Sequence, residues 1–156
     1  MGTKSRIICG AILCGAALGL AIAAPYAASH GAQDAAEPVP AFHDGAPKGP
    51  LPETLSPSQF TDVGVQNAYA LAGRVKKVLY QQPCYCYCDR GHGHKSLLDC
   101  FASKHGSGCD VCVREAIYSY EQTHKGKTAA QIRAGIERGE WREVDMSKYA
   151  TPIAAR

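Results

Sequence analysis

The sequence holds little net charge. Over 156 residues, 17 Lys and Arg stand against 14 Asp and Glu, a formal +3. Two of those cations, Lys4 and Arg6, lie at the extreme N-terminus, and the remainder is within one charge of neutral. That balance argues against nucleic-acid binding driven by phosphate neutralisation. The chain also lacks an internal repeat, a glycine-rich phosphate loop and any segment that reads as a strand. No βαβ pattern surrounds its CxxC, which argues against a thioredoxin fold. Asp99, Asp110, Glu115 and Glu121 form no visible acid/base pair, so the reading leans away from an enzyme, and no small-molecule substrate is evident. Length and composition together exclude a wholly disordered chain, a multispan membrane protein and a large-pocket enzyme. They leave a small sulfur-rich domain. Of eight cysteines, six (Cys84, Cys86, Cys88, Cys100, Cys109, Cys112) fall within 29 residues, together with His92, His94 and His105.

Residues 1–28 read as an export signal. Lys4 and Arg6 precede the uncharged run Ile7–Ala24, and small residues continue to Ala28. The run of 18 is just long enough to span a bilayer thinly, so an uncleaved anchor is the alternative. Cys9 follows Ile8 and Cys14 follows Leu13, which makes a poor lipidation signal. The expected location is therefore extracytoplasmic, periplasmic or secreted, with the membrane touched only through residues 7–24. Exported thiols tend to oxidise unless a metal or a reductant holds them.

Residues 29–55 read as a linker. Six prolines between Pro38 and Pro57, among Ala and Gly, leave too little apolar surface for the segment to order itself. The expected domain covers 56–145, with a C-terminal tail over 146–156. Its fold class is all-α: about four short helices around a cysteine-rich loop. The spacing predicts a helix over 57–80, with Ser56 as N-cap and Gly73 as a weak point. A short helix follows Ser96. A third runs from about Asp110 to His124. A fourth begins in the capping box Thr128–Gln131 and ends near Gly139.

The centre is Pro83-Cys84-Tyr85-Cys86-Tyr87-Cys88. On an extended chain three thiols would face one side and two tyrosines the other. Successive sulfurs would then lie about 6.6 Å apart, awkward for a disulfide between neighbours without a bend. A bend or a metal could gather all three, and convergent thiolates suit a soft ion such as Cu(I), or Zn with a fourth ligand. Cys109-Asp110-Val111-Cys112 is a CxxC at a helix start, where the helix dipole favours a thiolate. Gly91-His92-Gly93-His94 lets two imidazoles approach a shared centre. The candidate metal ligands are Cys84, Cys86, Cys88, Cys109, Cys112, His94, His92 and Cys100. His105 reads as a surface or capping residue.

Three functions follow. The leading one is an exported soft-metal-binding protein, with Cu(I) first, Zn second and a thiophilic toxic ion such as Hg(II) third. Its partner would be a metal donor or acceptor protein. The second is an extracytoplasmic thiol–disulfide redox protein using the CxxC. The third is a structural or interaction module stapled by disulfides whose pairing the sequence does not choose.

The run Pro83–Cys88 resembles the motif that names the PCYCGC family, also called the CYCXC (seleno)protein family. Ala68–Ala72, His94–Phe101, His105–Cys112 with Glu115-Ala116, and Gly126–Ile136 resemble its other blocks, so the likeness runs from about Phe60 to Trp141. Tyr87 stands where the naming motif has Gly, and a β-carbon there disfavours a left-handed turn. Many relatives look like bacterial envelope lipoproteins. The resemblance implies no particular activity. Its selenocysteine-containing members imply either thiol redox chemistry or soft-metal capture, and argue against purely structural disulfides.

Overall fold

The computed structural model describes residues 37–153; the segment read as an export signal, the first part of the expected linker and the last three residues lie outside them. Among the described residues there is no strand. Six α-helices follow in chain order: α1 (Val63–Arg74), α2 (Lys76–Leu79), α3 (Cys88–His92), α4 (Leu97–Phe101), α5 (Asp110–His124) and α6 (Ala129–Glu137). No described helix is long and apolar enough to cross a membrane. α5 is the axis, with α1, α2, α4 and α6 all packed against it. The core they share includes Tyr69, Leu71, Leu79, Leu97, Leu98, Phe101, Ile117, Ile132 and Ile136.

Several predicted caps are present. Thr128 Oγ1 accepts the Gln131 amide and Gln131 returns the bond to the Thr128 amide, closing a capping box at α6. Gly139 takes a left-handed φ of 78° just beyond α6, its N–H bonding the Ile136 carbonyl. Trp141 packs back into the core.

The first helix differs from its reading. Ser56 caps no backbone amide, and its hydroxyl pairs with that of Ser58 instead. Pro57–Gln59 is a single 3-10 turn. The α-helix begins only after Asp62, whose carboxylate accepts the Val65 amide at 2.8 Å. It breaks at Val75 (φ −123°, ψ 28°), two residues beyond the anticipated weak point, and α2 resumes from there.

Residues 37–55, read from composition as part of the linker, carry specific contacts to the helices. The Ala41 amide donates to Asp89 Oδ2 at 3.0 Å. The His43 ring stacks on Tyr80 at 3.8 Å. Asp44 pairs with Arg133 at 3.1 Å, and the Leu55 amide donates to the Phe101 carbonyl at 2.9 Å. Proline fixes φ and lowers the entropy lost on ordering, so an extended segment can lie along a surface built by other elements. The tail is pinned too. Buried Asn67 donates to the Tyr149 and Thr151 carbonyls at 2.9 and 2.8 Å and accepts the Ile153 amide at 3.0 Å.

Candidate metal centre

The start of the cysteine loop is held by neighbouring helices. Before it, the Gln82 carbonyl accepts the Leu97 amide at 2.9 Å. Within it, the Tyr85 amide donates to Glu115 Oε1 of α5 at 2.9 Å. The loop is not extended. The Tyr87 amide bonds back to the Cys84 carbonyl at 3.0 Å, and Tyr87 itself is left-handed at φ 56°, ψ 35°. The turn disfavoured by a β-carbon is therefore made, at a cost of about 1–2 kcal/mol, with the Tyr87 ring covered by the Arg90 guanidinium at 4.0 Å.

This turn divides the three thiols. Cys84 and Cys86 go to one side with Cys112 from the first turn of α5. Their sulfurs lie 3.4 Å (Cys84–Cys86), 3.3 Å (Cys84–Cys112) and 3.6 Å (Cys86–Cys112) apart. Cys88 opens α3 and turns to Cys100 on α4, sulfur to sulfur 3.4 Å. The expectation that Cys84, Cys86 and Cys88 share one centre gives way to two groups.

The second group is completed by two histidines. Gly93 is left-handed at φ 66°, which turns His94 back so that its Nδ1 lies 3.3 Å from Cys100 Sγ. His105 enters from the 3-10 turn His105–Gly108. Its approach depends on Gly106, where a β-carbon would sit 3.0 Å from the Cys100 carbonyl oxygen. In each group, Cys84/Cys86/Cys112 and Cys88/His94/Cys100/His105, one ligand atom per residue lies within 4.8 Å of all the others. The groups adjoin, with Cys86 Sγ 3.7 Å from His105 Nε2.

Of the ligands expected from sequence, Cys109 and His92 fall in neither group. Cys109 is the N-cap residue of α5, half-buried, and burial pushes its thiol up rather than down. The helix-start nucleophile anticipated for a CxxC is thus offset by desolvation. His92 is exposed and lies beside the group, its ring 4.4 Å from that of His105. His105, read as a surface or capping residue, stands inside. Only its place four residues before Cys109 could have signalled this, and that spacing has no characteristic ligand meaning.

The six described cysteines are all free thiols. Their contacts of 3.3–3.6 Å are well beyond an S–S bond of about 2.05 Å. They are a few tenths short of the roughly 3.8 Å expected between thiolates about 2.3 Å from a shared tetrahedral ion. Cys86 is held well below the ordinary thiol range by hydrogen bonds from Cys112 first, then Cys84 and Cys88. Cys112 is pushed up, by Cys100 first. At Cys84 a lowering interaction with Cys100 is outweighed by Cys112, Cys86, Cys88 and burial. The thiols next to Cys86 thus favour negative charge on its sulfur, a role an incoming cation would take over. His94 is lowered by burial and then by the neighbouring His105, which favours its neutral, ligating form. Glu115, fully buried beneath the loop, is pushed up to about 8 by desolvation, against the lowering bond from the Tyr85 amide.

Residues 43–153, more than half of the chain, match the family described as a protein of unknown function with PCYCGC motif. No curated protein and no solved structure matches the chain. The match extends past the cysteine blocks to take in part of the extended segment before α1 and the tail clamped by Asn67. The chain belongs to the PCYCGC-motif family.

Proposed function

We propose that this chain is an extracytoplasmic soft-metal-binding protein whose Cys84, Cys86 and Cys112 thiolates hold Cu(I). The observation that carries the reading is the convergence of those three sulfurs, two from a strained loop and one from the first turn of a 15-residue helix. Three soft donors without a fourth suit Cu(I), whereas Zn asks for four ligands. Three thiolates around a monovalent ion leave a net negative charge. The N-terminus of α5 opposes it favourably. Sequestration or delivery is the role, with a metal donor or acceptor protein as partner and no turnover.

The test is Cu(I) titration of the reduced full chain under anaerobic conditions. Metal content and Cu K-edge absorption are the readouts. One Cu(I) in an all-sulfur, three-ligand shell, lost in Cys112→Ser, is the expected result. No copper retention by reduced wild type, or a shell containing nitrogen, overturns it. A wild type that isolates with three disulfides also overturns it and puts the stapled module in its place.

A further inference from the structure

The second donor group has a different chemistry. Cys88, Cys100, His94 and His105 offer two sulfurs and two nitrogens, with every ligand atom within 4.8 Å of the other three. Cys88 and Cys100 are buried, and the two histidines are half-exposed. We propose that these four residues form a second metal site, for a tetrahedral dication of the Zn(II) class, alongside the trithiol site.

The geometry fits one four-coordinate ion. Zn–S distances of about 2.3 Å and Zn–N distances of about 2.0–2.1 Å place neighbouring ligand atoms roughly 3.3–3.8 Å apart. Cys88 Sγ to Cys100 Sγ is 3.4 Å and His94 Nδ1 to Cys100 Sγ is 3.3 Å. Closure asks for shifts of tenths of an ångström at these two pairs and, for any pair at the 4.8 Å limit, a contraction of about 1 Å or slightly more. The span is too small for a two-iron cluster, which sets its cysteine and histidine pairs on separate irons. Charge points the same way. Two thiolates and two neutral imidazoles balance a divalent ion, so the half-buried site carries no net charge into a low dielectric. A monovalent ion there would leave it anionic beside the already anionic trithiol group.

The four ligands come from four places: the start of α3, the left-handed turn at Gly93, α4 and the 3-10 turn before α5. An ion there would tie these four segments together. The inference does not depend on copper occupying the first site, because the donor sets do not overlap.

Native mass spectrometry of the reduced full chain, given Zn(II) with and without prior Cu(I), tests it. Co(II) is the spectroscopic substitute. One Zn(II) per chain in both cases is expected, and Co(II) gives the intense visible bands of a tetrahedral sulfur–nitrogen site. His94→Ala weakens Zn(II) binding by at least about 100-fold, as loss of a direct ligand should, and leaves Cu(I) content unchanged. His105→Ala weakens Zn(II) equally, with helicity followed by far-UV circular dichroism. Three results overturn the proposal: no Zn(II) uptake by reduced wild type, an octahedral Co(II) spectrum, or unchanged Zn(II) affinity in both folded histidine variants. Because copper and zinc are counted separately, failure of the trithiol reading and failure of this one are distinguishable.

Discussion

Tyr87 is the only non-glycine among the described residues with positive φ, and it sits at the turn that separates Cys84 and Cys86 from Cys88. The side chain contributes contacts to Arg90 and Tyr85, so replacing it mixes side-chain and backbone effects. Comparing two replacements that both remove the ring isolates the backbone. Tyr87→Gly should be more stable than Tyr87→Ala by about 1 kcal/mol, the reverse of their order in a helix interior. Urea unfolding of the reduced proteins measures this, and equal midpoints would mean the turn relaxes out of the left-handed region. Glu115 offers a second residue-level outcome. Its folded value of about 8 lies above the ordinary 4.5. The folded state therefore keeps a proton that the unfolded chain releases, and stability falls as pH rises between those values. Glu115→Gln can still accept the Tyr85 amide but does not titrate. Between about pH 5 and pH 8, metal-free wild type should lose on the order of 3 kcal/mol relative to the Gln variant. Parallel stability profiles would refute that.

At the scale of elements, what the sequence carried well was local. The Thr128 capping box, the helix from Asp110 to His124 and the glycine after α6 each depend on side chains a few residues apart, and each is present. What it carried poorly was decided at a distance. Ser56-Pro57-Ser58-Gln59 has the composition of a helix start, yet Asp62 supplies the cap. The segment 37–55 has the composition of a linker. Its order comes from partners up to about 90 residues away, such as Arg133 for Asp44. The sorting of thiols into two groups turned on Tyr87, where propensity points away from the conformation adopted. His105 was missed because its position is set by packing between α4 and the turn before α5. That packing gives a prediction. A β-carbon on Gly106 would meet the Cys100 carbonyl at 3.0 Å and the Tyr69 hydroxyl at 3.2 Å, both buried groups. Gly106→Ala should cost about 1–3 kcal/mol and move His105 away from Cys88 and Cys100. Chemical unfolding with Zn(II) titration on the same variant would show both losses, and a variant as stable as wild type would show that the turn has slack.

Across the whole molecule, two long-range devices close the fold. Asn67 on α1 satisfies three backbone groups of residues 149–153, leaving all of them unpaired if it is cut back. Asn67→Ala should lose about 2–3 kcal/mol and raise hydrogen exchange at the Ile153 amide, whereas unchanged exchange would show that the tail is held by its apolar contacts. The other device is the donor set itself. Cys84, Cys86, Cys88, His94, Cys100, His105 and Cys112 span the loop, α3, α4 and α5. An unfolded chain cannot present either group with its ligands in place, so an ion bound to the folded state adds its binding free energy to stability. At a free metal concentration about 100 times the dissociation constant the gain is about 2.7 kcal/mol per site. Metal-loaded protein should therefore unfold at a higher temperature than chelator-stripped, reduced protein, and the difference should shrink when Cys112→Ser removes one site. It should shrink further when His94→Ala removes the other. If stripping the metal left the melting temperature unchanged while disulfide reduction collapsed it, the stabilising links would be covalent and both metal readings would fall together.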